Sequence, residues 1–422
     1  MDFDRQKLRW NGWGNNDAPD ILGSRADAVW QWMGENCGCT PLPETLAKEL
    51  YGLELPACSL DASALDGLRK CVDENRLKTD DYERAFHARG KSYLDLIHLR
   101  AGDLGMVPDA VIYPESKEEV LAVLQWAVEH QSAVVPYGGG SSVVGGVNAL
   151  KSDDQQAVIS LDLTRMKKVI SIDKQSRRAT IQAGIYGPEL EEQLQAQGYT
   201  LGHYPQSFEF STLGGWIAHR GAGQQSNKYG KAEKWLVGAE VATPKGIWRT
   251  EYFPASGAGP QMRDMLVGSE GVLGVITEAT VRIHPLSEAK DYRGYLFMDW
   301  EQAVAATQAL AQSGIPTAMV RLSDPDESHF FQALKTIGEE EEPTIKFCAL
   351  LVGIEGDTAQ VESDVARCRA LLDGFGAMHM GEDPGKSWYA NRFMMPYLRD
   401  PMLDHGLGVD TLETAVDWTH IL

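Results

Sequence analysis

Apolar and polar positions along this chain fall into two rhythms, one of period 3.6 and one of short apolar runs. Ser116-Lys-Glu-Glu119 has the form of a capping box, and Val120, Leu121, Val123, Leu124 and Ala127 behind it predict a helix to about His130. Ala133-Val-Val-Pro136 predicts a short strand that runs straight into three consecutive glycines. Val158-Ile-Ser-Leu161 and Ala179-Thr-Ile-Gln-Ala183 read as further strands. Pro188 to Gln197 reads as a helix, with proline in its first turn and Gly198 just past its end.

From about Tyr292 the pattern changes. Tyr295-Leu-Phe-Met298 predicts a strand, Glu301 to Gln312 an alanine-rich helix, and Thr317 to Leu322 a second strand. Phe347 to Val352 predicts a third strand and Thr358 to Leu372 a long helix. A strand–helix–strand unit followed by a strand–helix unit points to a separate α+β domain with an antiparallel sheet. The boundary falls near His284-Pro285, where strand-like Val281-Arg-Ile stops at a proline. The expected organisation is a largely helical N-terminal extension over 1–107, an α/β-alternating domain over 108–285, and a second domain over 286–422.

Length agrees, since 422 residues suit two or three domains. The net charge of -21 repels a phosphate backbone, which argues against nucleic acid as a partner. A local cationic pocket for an anionic small molecule remains compatible with it. Cys37, Cys39, Cys58, Cys71, Cys348 and Cys368 include no C-x-x-C pair, so reduced structural thiols are expected and no metal site. The N-terminus lacks the apolar core of a signal peptide, and no stretch nears the roughly 20 apolar residues of a membrane span. A cytoplasmic protein is the simplest expectation.

Three glycine-bearing segments carry the candidate chemistry. Pro136-Tyr137-Gly138-Gly139-Gly140-Ser141-Ser142 follows a strand, and its glycines let the backbone take positive φ and turn several N–H groups toward one point. Such a nest binds phosphate oxygens without a lysine, and the serines add hydroxyl donors. The spacing fits neither G-x-G-x-x-G nor a Walker loop, and an ordinary glycine-rich turn is the alternative. Pro205 to Trp216 brings hydroxyls and two glycines to a helix start, and Gly268 to Glu278 looks like a glycine-punctuated turn entering a strand.

Together these segments resemble the flavin domain of the vanillyl-alcohol oxidase superfamily, the FAD-linked oxidases. Within it the resemblance sharpens to the alkylglycerone-phosphate synthase family. Matching features include Arg9-Trp-Asn-Gly-Trp-Gly14, Arg84-Ala-Phe-His-Ala-Arg-Gly90, Pro108-Asp-Ala-Val111 and Asn227-Lys-Tyr-Gly230. Others are Met319-Val-Arg-Leu322, Pro396-Tyr-Leu-Arg-Asp400 and Leu412-Glu-Thr414, so the likeness spans essentially the whole chain. It implies an α+β fold, with a two-subdomain FAD-binding domain and an α+β cap domain that holds substrate. By the same resemblance Pro136 to Ser142 hold the pyrophosphate. Gln206, Ser207, Phe208, Glu209, Phe210, Ser211 and Thr212, with His219, Arg220, Gly221 and Ala222, line the rest of the cofactor. Glu270, Gly271, Val272, Leu273, Gly274, Val275 and Ile276 complete the site. No histidine or cysteine lies in Pro136–Gly146, where some relatives attach the flavin, so non-covalent FAD is implied.

The resemblance also places Arg321 and Arg399 in the active site, where a guanidinium grips an anionic substrate bidentately. Surface ion pairing is the alternative. Arg392 is a weaker third candidate, and Tyr389 and Tyr397 read as core or positioning groups. His203 and His219 flank or enter the flavin segment, of which His219 is kept as a wall residue. The implied reaction exchanges acyl for alkyl on acyl dihydroxyacetone phosphate, with no net change in the flavin. An FAD-linked dehydrogenase of a 2-hydroxy acid and a non-catalytic flavin-binding remnant are the rivals. Peripheral membrane contact for lipid substrates and a homodimer stay open. The family's tyrosine and histidine-rich run beyond the Leu-Glu-Thr segment is not found before Leu422, so little or no alkyl transfer by this chain is expected.

Overall fold

The computed structural model describes residues 7–250, 252–253, 255–337 and 345–421. They form two compact units, the first built from residues 1–18, 46–223 and 230–285. The second comprises residues 19–45, 224–229 and 286–422.

The first unit holds two sheets. In one, Ala110–Ile112, Val158–Asp162 and Ala133–Tyr137 run parallel, with Val158–Asp162 in the middle and Leu77–Lys78 added antiparallel at the edge. All five residues of Val158–Asp162 are buried, as expected of a central parallel strand. The other sheet is antiparallel, in the order Val169–Asp173, Arg178–Gln182, Val275–Arg282, Leu236–Thr243, Gly246–Arg249. Helix Lys117–Glu129 starts where the capping box predicts: Ser116 Oγ accepts the Glu119 N–H, and Glu119 reaches back to the Glu115 N–H at 2.8 Å. Its Val120, Val123, Leu124 and Ala127 enter a core shared with Ile112, Ile159, Leu161, Ala242 and Val275. Residues of both sheets thus meet in one hydrophobic cluster.

The second unit centres on a four-stranded antiparallel sheet in the order Thr317–Ser323, Cys348–Gly356, Ala289–Phe297, Met378–Gly381. Tyr295, Phe297, Leu350, Val352 and Ile354 pack on helices Trp300–Gln312 and Thr358–Asp373, and Cys348 and Cys368 are buried there. The α+β class is therefore observed. Two details differ from the sequence reading. The strand expected from Tyr295 begins at Ala289, because charged Lys290, Asp291 and Arg293 hide the alternation while the backbone pairs residue for residue with Cys348–Gly356. The short strand Met378–Gly381 and the helix Pro325–Thr336 were not expected. Among the described residues no helix is long and apolar enough to cross a membrane, and no histidine, cysteine and carboxylate group is arranged for a metal.

Candidate functional site

In the first unit, the three glycine-bearing segments converge on one cavity of about 370 Å³. Strand Ala133–Tyr137 delivers the first of them. Every residue from Pro136 to Ser142 lines the wall, followed by Val143, Val144, Gly146 and Val147.

The glycines are required for reasons the sequence did not disclose. Positive φ was expected along the run, yet of Gly138, Gly139 and Gly140 only Gly140 adopts it, at +66°. Gly138 and Gly139 are glycines because another segment crosses them. A methyl group on Gly139 would overlap the Phe210 carbonyl oxygen, and one on Gly138 would overlap the Thr212 hydroxyl. The nest is thus pressed against the 207–212 segment.

The same loop is rich in unused donors. Among the described residues, no backbone or side-chain acceptor is found for the N–H groups of Gly139, Gly140, Ser141, Ser142 and Val143. A run of five such donors on a cavity wall is costly in an apolar setting and fits a polyanion. The donor set therefore suits the pyrophosphate of the dinucleotide that the resemblance implies. Ala183, Gly214, Gly215 and Ala218 also line the cavity and bring little side chain to its wall.

The second and third segments contribute selectively. Ser207, Ser211 and Thr212 line the cavity, whereas Gln206, Phe208, Glu209 and Phe210 do not. Phe208 and Phe210 are turned inward, Phe208 against Tyr204 and Trp216 and Phe210 edge-on to Trp13 at 5.4 Å. His219 and Gly221 line it, while Arg220, at φ +53°, points to Glu233 and Ala222 is exposed. Glu270, Gly271, Gly274 and Ile276 line it. Val272 is 86% exposed, Leu273 also faces out, and Val275 turns into the core by the two-residue period of its strand. Leu163, Ala183 and Pro205 are wall residues that sequence reasoning missed. Leu163 and Ala183 directly follow strands, a position that could have flagged them.

The two histidines separate. Burial pushes the His219 pKa down and Glu270 opposes it, so a neutral imidazole faces the cavity. His203 lies behind the wall, between Trp216 and Trp235, and accepts from the Trp235 indole at 3.3 Å. Its burial lowers its pKa to about 3.

The arginines belong to the second unit. Arg321 lies within strand Thr317–Ser323, donates to Glu327 at 2.7 Å and stands 5.8 Å from the Phe331 ring. Arg399 opens the short helix Arg399–Asp404, beside buried Asp400. Arg392 stacks on the Tyr389 ring at 3.9 Å.

Comparison with known proteins gives two family matches. Residues 108–251 match a family described as an FAD binding domain, and residues 286–422 one described as the C-terminal domain of FAD linked oxidases. The alkyldihydroxyacetonephosphate synthase of Dictyostelium discoideum is 33% identical, over 99% of this chain and 74% of the relative. That of Trypanosoma brucei brucei is 34% identical, over 98% of this chain and 73% of the relative. A solved alkyldihydroxyacetonephosphate synthase structure superposes with a TM-score of 0.85 at 33% identity, over 95% of this chain and 80% of that one.

Proposed function

The chain belongs to the alkyldihydroxyacetonephosphate synthase family of FAD-linked oxidases, and on that premise we propose that it exchanges the acyl group of an acyl dihydroxyacetone phosphate for an alkyl group. It is an FAD-dependent enzyme of the transferase and oxidoreductase kind. The observation that carries the cofactor part of this reading is the donor-rich loop from Gly139 to Val143 on the cavity wall, and the likeness to the synthases supports the acyl-for-alkyl exchange.

In this reading the N–H groups of that loop, with the Ser141 and Ser142 hydroxyls, hold the pyrophosphate of FAD. Ser207, Ser211, Thr212, His219, Gly221, Glu270, Gly271, Gly274 and Ile276 form the rest of its wall. The absence of histidine and cysteine from the nest loop supports a cofactor held without a covalent bond. When bound, FAD supplies a redox-active, electrophilic ring system to the site. Gly214 and Gly215 would be among the residues that wall the bound cofactor, and Gly214 packs closely on Ala183. Burial lowers the His219 pKa, so this side chain adds no positive charge to the wall. Arg321 and Arg399 position the anionic substrate through charge-assisted hydrogen bonds.

The deciding experiment incubates the FAD-loaded protein with acyl dihydroxyacetone phosphate and labelled fatty alcohol. Labelled ether product with the flavin still oxidised is the expected result. Anaerobic bleaching of the flavin by a 2-hydroxy acid, with no ether product, would replace this reading with a dehydrogenase.

A further inference from the structure

At one end of the second unit's sheet, several polar side chains meet at one buried carboxylate. Glu355, 4% exposed, is the next-to-last residue of strand Cys348–Gly356. Its oxygens accept from the Tyr229 hydroxyl at 2.6 Å, the Tyr292 hydroxyl at 2.7 Å and the Gln225 amide at 2.8 Å. Three such bonds satisfy a buried carboxylate. Two lysines nevertheless stand beside Glu355, one at its backbone and one at its carboxylate. Lys228 donates to the Glu355 backbone carbonyl at 2.6 Å and to Ser287 Oγ at 3.1 Å. Lys290 sits directly opposite Glu355 in the ladder, with its ammonium 3.7 Å from the carboxylate.

Lys228 is spent on the Glu355 backbone carbonyl and Ser287 and burial pushes its pKa down, so Lys290 is the cation that faces the carboxylate itself. Lys290 is also the outward-facing member of the cluster. It donates to the Tyr389 hydroxyl at 2.9 Å, which leaves that hydroxyl's own proton directed elsewhere. Among the described residues none accepts it. Burial works against the charge on Lys290, but the bond to Tyr389 and the Glu355 charge outweigh it and hold its pKa above the ordinary lysine range. The Arg392 guanidinium lies 3.9 Å from the Tyr389 ring centre, a second cation beside this tyrosine.

We propose that Lys290 and Tyr389 form an anion-binding subsite that takes the phosphate of a phosphate monoester. An ammonium and a phenol O–H held 2.9 Å apart are two donors for neighbouring oxygens of one phosphate. Glu355 does not touch the anion. It fixes Lys290 from behind, with Tyr292 and Tyr229 locked on its other sides. That the phosphate belongs to the substrate rests on the proposed function, whereas the subsite rests on this geometry alone.

Calorimetric titration of the FAD-loaded full chain tests it, with inorganic phosphate and then dihydroxyacetone phosphate, in about 0.15 M chloride to screen non-specific contacts. Both anions should bind and compete. Lys290→Met should weaken both about 10-fold or more and Tyr389→Phe several-fold, while Lys386→Met on the same helix as Tyr389 leaves them unchanged. No binding by the wild type, or equal binding by Lys290→Met, overturns the subsite. Lost phosphate binding with an unaltered KM for the acyl ester keeps the subsite but removes the substrate as its occupant.

Discussion

The Phe210 carbonyl oxygen occupies the space that a side chain on Gly139 would need. Two segments about seventy residues apart are thereby in backbone contact at the centre of the cofactor wall. Gly139→Ala should force them apart, costing about 1–3 kcal/mol as overpacking and stripping FAD from the protein. The ratio of flavin to protein absorbance after gel filtration measures this. A Gly139→Ala protein that kept one FAD per chain would show that the contact is not needed to shape the site.

Acid precipitation should release all the FAD into the supernatant. The nest loop carries no histidine or cysteine to attach the flavin. Flavin fluorescence on the denatured polypeptide band would instead point to a covalent link.

Arg321→Ala and Arg399→Ala should keep full flavin absorbance, because neither side chain belongs to the unit that holds the cavity. Loss of one charged partner of the substrate anion should raise KM or lower kcat/KM about 10- to 150-fold. Since the Arg321–Glu327 pair is 43% and 37% exposed, its removal should change stability by no more than about 0.5 kcal/mol. Steady-state kinetics with thermal melts separate these effects, and a flavin-free Arg321→Ala protein would move that residue to the cofactor site.

His203 makes stability depend on pH. Its folded pKa, about 3, lies below the usual value of 6.5, so between these limits the unfolded chain binds the extra proton. The stabilisation is complete above pH 6.5 and is lost as pH falls toward 3, at up to about 1.4 kcal/mol per pH unit. His203→Gln should remove this part. The gap in unfolding midpoint between wild type and variant is then expected to shrink as pH falls from 7 to 4.5, and a constant gap would show that folding does not lower the His203 pKa.

Much of the architecture was legible because its signals are local. The Ser116–Glu119 box, the proline opening the helix near Pro188 and the apolar run Val158–Leu161 act within a few residues, and each lies in the element expected of it. The nest was legible for the same reason, as a strand running into glycines. What the segment names could not convey was orientation. Phe208 and Phe210 lie in a wall segment yet face the core, and Val275 and Ile276 part company by the pleat of one strand. Gly138 and Gly139 owe their identity to chain that crosses them from Phe210 and Thr212, not to their own φ. Glu355 reads as an ordinary strand-end acid, and only folding brings Gln225, Tyr229, Lys228 and Tyr292 to it. Periodicity and caps are set by neighbours in sequence, so the chain alone determined its elements and the place of its cofactor loop. Side-chain facing, close backbone approach and the gathering of charge around one carboxylate depend on residues tens to more than a hundred positions apart, and those were decided by the tertiary structure.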